Sequence, residues 1–241
     1  MHTTRHEAIA DVLTDEILRG QYRTGERLPS ERDLAARFDS NRAAVRVAVE
    51  KLEQLGIAEV LPGGVRVRPL EEANLDVIGE LLALDDVPDP ELMEQMLEVM
   101  GTLMRLAARR AVERASDDQI TYARELLGRT LREGVTPEQL AQTRMELGQL
   151  FMTLSGNLVL RLIGNSLRVQ VMGRADARSS MLMSEPPDDG SLYRTLDEAL
   201  ANRNASEAVT VLERIMTLNT EHVVRTLRAA RKASSEQEYQ A

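Results

Sequence analysis

Apolar positions along the first part of the chain recur at helical spacing three times and then switch to alternation. Ile9, Val12, Leu13, Ile17 and Leu18 share a face of a helix predicted over 4–19, and Gly20 stops the run. After a loop, Pro29 precedes Ser30, an N-cap whose hydroxyl is placed to accept from the amide of Asp33, and Leu34, Ala35 and Phe38 give a second helix its buried face. Asp39 and Ser40 punctuate its end. A third helix is predicted over 41–55, with Val45, Val49, Leu52 and Leu55 at core spacing and Gly56 as its stop. Ile57 to Val60 then read as extended, Pro62-Gly63-Gly64 as a turn, and Val65-Arg66-Val67-Arg68 as a second short strand. Two short helices joined by a tight polar turn and followed by a two-stranded wing place a helix N-terminus where it can enter the DNA major groove.

From about residue 73 the only consistent signal is helical periodicity, broken at Pro88 and Pro90, Gly134 to Pro137, Gly156-Asn157 and Pro186 to Gly190. Helices are predicted over 73–84, 90–115, 117–132, 137–154, 158–183, 191–202 and 205–231, followed by a polar tail, 234–241, expected to fray. No internal repeat is visible, so one bundle is preferred to a solenoid. The fold class is therefore mainly α: an N-terminal winged helix-turn-helix domain (1–69), a linker (70–74) and a C-terminal antiparallel α-helical bundle (75–233).

Charge modifies this picture. The chain has 241 residues and a formal charge of −9, an unpromising balance for nucleic acid. Residues 1–70, however, hold 11 Arg and Lys against 11 Asp and Glu, so the whole acidic excess lies beyond them. A local arginine cluster contacts phosphate while an acidic body lowers non-specific binding. No run of about 18 apolar residues predicts a membrane helix, and the acidic, amphipathic N-terminus does not read as a signal peptide. With no Cys in the chain, disulfides and thiolate metal sites are excluded, which fits a cytoplasmic location.

Chemistry concentrates on the third helix. Asn41, Arg42, Ala44 and Arg46 fall in its first turns, where free amides and the macrodipole already favour phosphate. Arginine pairs bidentately with guanine, and asparagine pairs with adenine or holds a phosphate. Arg32 is placed to cross the backbone. Taken singly these are ordinary surface charges, Arg46 with Glu50 at i,i+4 among them; as a set in this framework they read as a DNA face.

The run GERLPSERDLAARFDSNRAAVRVAVEKLEQLGIAEV resembles the winged helix-turn-helix of the GntR family of bacterial transcription regulators, over residues 6–69. The resemblance implies operator contacts from Arg32, Asn41, Arg42, Ala44 and Arg46, and minor-groove entry by a wing-tip glycine, Gly63 or Gly64. The wing departs from the family pattern, reading Leu61-Pro62-Gly63-Gly64 where a basic or polar tip is usual.

The helical remainder resembles the effector domain of the FadR subgroup, through Ser155-Gly156-Asn157 and Ala208 to Met216. Many members of that group bind a divalent metal through one Asp and three His. The resemblance puts those positions at Arg144, Gly148, Tyr193 and Ile215, none of which replaces its ligand, and the chain holds only His2, His6 and His222. No metal and no cofactor are expected. His222 reads as an ordinary helix-face residue. Met93, Met96, Met100 and Met104 recur on one helix, and Met145, Met152, Met172, Met181 and Met183 add flexible thioethers suited to an apolar guest, or simply to filling a bundle core. The family's carboxylate-holding arginine is replaced near Met100. Loss of that arginine and of the metal points away from a small hydroxy or dicarboxylic acid and towards a fatty acyl group or its coenzyme A thioester. The candidate effector residues are Met93, Met96, Met100, Met104, Arg144, Gly148, Met152 and Tyr193; Arg105, Arg109, Arg161, Arg168 and Arg174 are candidates to meet a phosphate.

The expectation is a homodimeric, ligand-responsive regulator, a repressor of transcription, whose two third helices lie about one DNA turn apart on a palindromic operator. Alternatives are a regulator answering to a different organic acid and a winged-helix adaptor that binds protein instead of DNA. An enzyme is disfavoured: no nucleophile set, phosphate loop or metal-binding helix is visible, and Asp85-Asp86 and Asp188-Asp189 read as solvated loops.

Overall fold

In the computed structural model of the chain, residues 4–132, 134–172 and 190–238 are described. The end of the helix expected over 158–183 lies outside them, as do His2, Arg174, Met181, Met183, Asp188 and Asp189. The chain forms two compact units, Met1–Asp86 and Val87–Ala241.

The first unit contains α1 (Arg5–Leu18), α2 (Glu31–Arg37), α3 (Arg42–Leu55), β1 (Ala58–Leu61), β2 (Gly64–Val67), a 3-10 turn (Leu70–Glu72) and α4 (Val77–Ala83). Capping sets the helix starts: the amide of Asp33 donates to Ser30 Oγ at 3.3 Å, and that of Ala44 to Asn41 Oδ1 at 2.8 Å. Ile9, Leu13 and Ile17 of α1, Leu34 of α2, and Val45, Val49 and Leu52 of α3 close over Ile57, Val67 and Val77 in one core. Val12, at the edge of the expected stripe, is 41% exposed. Ion pairs tie the helices outside that core: Lys51 on α3 to Asp11 on α1 at 2.8 Å, and Arg37 to Glu16, with the Arg37 guanidinium over the Phe38 ring.

β1 and β2 pair antiparallel, Ala58 opposite Val67 and Leu61 opposite Gly64. The segment before α2, which has no alternation to mark it, adds a third edge. Gly25 N donates to Val67 O at 2.8 Å, Val67 N to Glu26 O at 3.0 Å, and Leu28 N to Val65 O at 2.9 Å. α4 starts later than its periodicity predicts because Asn74 turns back on α3: its amide donates to Leu55 O, its side-chain amide to Gln54 O, and its Oδ1 accepts from Asp76 N.

Gly56 makes that return possible. It caps α3 at φ 77°, and a Cβ there would stand 3.1 Å from Ala73 Cα and 3.2 Å from Asn74 N. Both obstacles are backbone. Gly56→Ala is therefore expected to destabilise the first unit by at least ~1–2 kcal/mol, the left-handed penalty alone; chemical denaturation checks it, and an unchanged midpoint would refute this account of the cap.

The second unit contains α5 (Pro90–Arg114), α6 (Asp117–Thr130), α7 (Pro137–Leu154), α8 (Leu158–Met172), α9 (Ser191–Ala201) and α10 (Ala205–Glu238). Asp89 Oδ1 accepts from Glu91 N and Leu92 N, while Ser116 with Gln119 and Thr136 with Gln139 form reciprocal capping boxes. Ala107, Ala108 and Ala111 are fully buried on α5, and such small side chains let neighbouring helices approach closely. The shared core continues through Leu126, Leu127, Leu147, Phe151, Leu196, Leu200 and Leu212. α10 runs on to Glu238, past the fraying expected from Ser234, as Ser235 Oγ bonds Arg231 O at 3.0 Å and Lys232 pairs with Glu236 one turn on.

Candidate nucleic-acid interface and effector cavity

The start of α3 is built to present side chains outward. Its core face, Val45, Ala48, Val49 and Leu52, is fixed against α1, and Arg42 and Arg46, one turn apart at the edge of that face, are exposed at the start of the helix. The chain spends Asn41 Oδ1 on capping, leaving the side-chain amide as the group available for a base or phosphate. Ala44 is half-buried and adds no bulk beside them. Arg32 leaves α2 with 76% of its side chain exposed, in a loose pair with Asp33 at 3.4 Å.

Arg46 does not pair with Glu50. Its Nη2 lies 3.0 Å and its Nε 3.2 Å from the carboxylate of Glu31 on α2. That hydrogen bond, with the charges of Arg46 and then Arg42, holds Glu31 below the usual carboxylate range. A lowered carboxyl pKa means that the pair persists at neutral pH and is lost only as pH falls through that lowered value, so any anion reaching Arg46 at pH 7 has to compete with a charged partner. Glu31→Gln is expected to tighten binding to a non-specific duplex a few-fold and steepen its salt dependence by up to about one counterion; weaker binding in a salt titration would show that Glu31 positions Arg46 instead of restraining it.

At the wing tip the two glycines differ. Gly63 (φ 109°) has open space where a Cβ would stand, whereas at Gly64 (φ 129°) a Cβ would collide with the guanidinium of Arg27. Arg66 Nη1 donates to Gly25 O at 2.8 Å. Two wing-side arginines are thus folded down on the backbone, a consequence of the third edge, and Gly63 is the bare tip.

In the second unit a cavity of about 170 Å³ is lined by four helices. Arg144, Leu147, Gly148 and Phe151 of α7 line it at i, i+3, i+4 and i+7; Leu212, Ile215, Met216 and Asn219 of α10 repeat that spacing; Tyr193 and Leu196 of α9 and Met104 of α5 complete it. Of the candidate effector residues, Met104, Arg144, Gly148 and Tyr193 meet here. Met93, Met96, Met100 and Met152 are not among the lining residues. Met93 and Met96 are buried elsewhere on α5, and Met152 Cε packs where Gly164 of α8 lacks a side chain. Asn219, Leu212 and Met216 were not singled out from sequence, although their heptad-like spacing on an otherwise apolar face was visible there. Arg105 is engaged by Glu213 at 2.9 Å.

Arg144, Gly148, Tyr193 and Ile215 do converge, so the positions implied by the family resemblance mark one place in space. A metal does not fit them. They offer a guanidinium, no side chain, a phenol and an alkyl group, and the guanidinium repels a second cation. Among the described residues no group of three or more His, Cys, Asp or Glu is placed to hold a metal ion. Nor is any helix among them long and apolar enough to cross a membrane.

A winged helix-turn-helix joined in one chain to a helical unit with an apolar cavity defines a class: a DNA-reading module with an effector domain. Residues 5–67 match the bacterial regulatory proteins of the gntR family, and residues 95–218 match the FCD domain. The chain belongs to the GntR family and carries an FCD effector domain. It is 35% identical to an uncharacterized HTH-type transcriptional regulator of Mycobacterium tuberculosis over 46% of each chain, less than half of that relative's length. It is 27% identical to the HTH-type transcriptional regulator Mce2R of the same species over 84% of each. A solved structure, described as Lar, which controls expression of the Listeria monocytogenes agr system, has a TM-score of 0.57 at 16% identity, covering 93% of this chain and 99% of that one; the likeness is one of fold.

Proposed function

We propose that this protein is a cytoplasmic, homodimeric regulator of transcription that binds operator DNA through Arg32, Asn41, Arg42, Ala44, Arg46 and the wing glycines Gly63 and Gly64, and that a small molecule in the helical unit alters its affinity for DNA. The observation that carries this reading is the start of α3: two exposed arginines and an asparagine amide fixed on one face by a buried stripe and an N-cap. A ligand acts on such a protein only by differential affinity for DNA-competent and incompetent states.

Of the two finer ligand classes, a fatty acyl coenzyme A and a smaller organic acid, the cavity supports the second. Its 170 Å³ is close to the roughly 150 Å³ that takes a benzene molecule. Selection of bound duplexes from a random pool tests the DNA reading: a palindromic consensus with half-sites about 10 base pairs apart supports it, and enrichment of no sequence together with salt-independent binding would refute it.

The dimer is supported by α8. Leu158, Val159, Leu162 and Val169 are more than half exposed along it, an apolar stripe unusual for a free surface. Leu162→Asp with Val159→Asp is expected to give a folded monomer by light scattering and to weaken operator binding; a dimer of unchanged mass would place the interface elsewhere.

A further inference from the structure

We propose that the cavity of the second unit takes a small monocarboxylate, with Arg144 as the fixed cation that receives the carboxylate directly and no divalent metal between them. This rests on the effector role proposed above and narrows it to a ligand class and an anchoring residue.

Arg144 is an unusual wall residue. Its Nε is shut off from solvent and has no hydrogen-bond partner, and its Cζ stands 5.2 Å from the centroid of the Tyr193 ring. That contact is a cation–π one and brings the guanidinium no anionic partner. None of the lining residues is acidic, and besides Arg144 and Tyr193 only Asn219 brings a polar side chain. Arginine does not shed its proton in proteins, so the cavity has no means of neutralising itself. A carboxylate satisfies this arrangement, because its two oxygens match the planar fork of donors.

Size and charge then narrow the class. A cavity of 170 Å³ accommodates roughly six to ten non-hydrogen atoms, judged from a benzene site of similar volume. A second carboxylate would meet no second cation, since beyond Arg144 the wall offers only the Tyr193 and Asn219 side chains as polar groups and is otherwise apolar. A single anionic head on a compact apolar body fits; a dicarboxylate does not. The same cation explains why the metal positions hold no metal ligands: the positive charge that a metal would supply is carried by the chain.

The test uses the full-length protein in EDTA, with benzoate and hexanoate as probes and benzamide and hexanamide as their uncharged counterparts. Calorimetric titration is expected to show at least one acid binding roughly tenfold or more tighter than its amide. Arg144→Met should fold, melt no lower than wild type without ligand, and bring the acid-to-amide ratio to about one while still binding duplex DNA at low salt. Equal affinity for acids and amides in the wild type overturns the proposal whether or not the variant folds. So does a preference that survives in Arg144→Met, or a stoichiometric divalent metal that copurifies and is needed for binding. Failure of the wild type to bind DNA would instead count against the regulatory reading.

Discussion

Arg42→Ala is expected to abolish sequence-specific DNA binding under physiological salt while leaving the thermal midpoint of the first unit unchanged. Arg42 is the first residue of α3 and exposed, with no hydrogen bond or ion pair among the described residues, so nothing in the fold depends on its guanidinium. A bidentate arginine–guanine contact is worth about 1–3 kcal/mol, and a two-fold site uses it twice, which amounts to a loss of about thirty-fold to about twenty-thousand-fold. Arg42→Lys separates two roles of the side chain: a point charge keeps a phosphate contact but loses the planar fork, so its affinity should fall between the other two. Fluorescence anisotropy on a selected operator at about 0.15 M salt measures the series. A loss below threefold for Arg42→Ala would remove this residue from the interface.

Phe151→Ala should cause the largest loss of stability, about 3–5 kcal/mol. Phe151 is 1% exposed, at once in the shared core of the second unit and in the cavity wall. Deleting its ring joins new empty volume to an existing cavity, so neighbours on four helices lose contacts and cannot collapse to recover them. With Phe38 in the first unit, it is one of only two phenylalanines in the chain, and the other ring of the cavity wall, Tyr193, is already engaged beneath Arg144. The loss should appear in calorimetry as a lowered transition of the second unit, with binding of the first unit to non-specific DNA retained. A change below about 1 kcal/mol would mean that the cavity closes on its own.

Local signals read well from sequence because their causes are local. Ser30 with Asp33, Asn41 opening α3 and Gly56 ending it are each decided within a few residues, and the structure holds them as the spacing predicts; the wing turn is tighter than expected, Pro62-Gly63 alone, because Gly64 already pairs with Leu61 as the first residue of β2. Pairings over distance were not legible. Arg46 has a plausible partner one turn away in Glu50, yet the packing of α2 on α3 brings Glu31 closer. The 25–28 edge forms because β2 offers free backbone groups, not because its own residues alternate. The methionine run on α5 announces a buried face but not what covers it, so Met93 and Met96 could not be separated from Met104. Arg144 read from sequence as a lost metal ligand; only the meeting of α7, α9 and α10 gives its guanidinium a cavity to serve.

The contact between Met104 and Gly148 has a wider consequence. A Cβ on residue 148 would lie 3.0 Å from Met104 Cε, so the reach of that thioether into the cavity depends on a missing methyl group. Residue 148 is one helical turn from Arg144, which leaves the anchor for the ligand head separate from the wall that sets the length of its body. Changing Gly148 to alanine, then serine, would shorten the accepted ligand in small steps without disturbing the anchor. Descendants of one such regulator can thus diverge in what they sense by adjusting a single wall, each step leaving a protein that still folds and still reads its DNA.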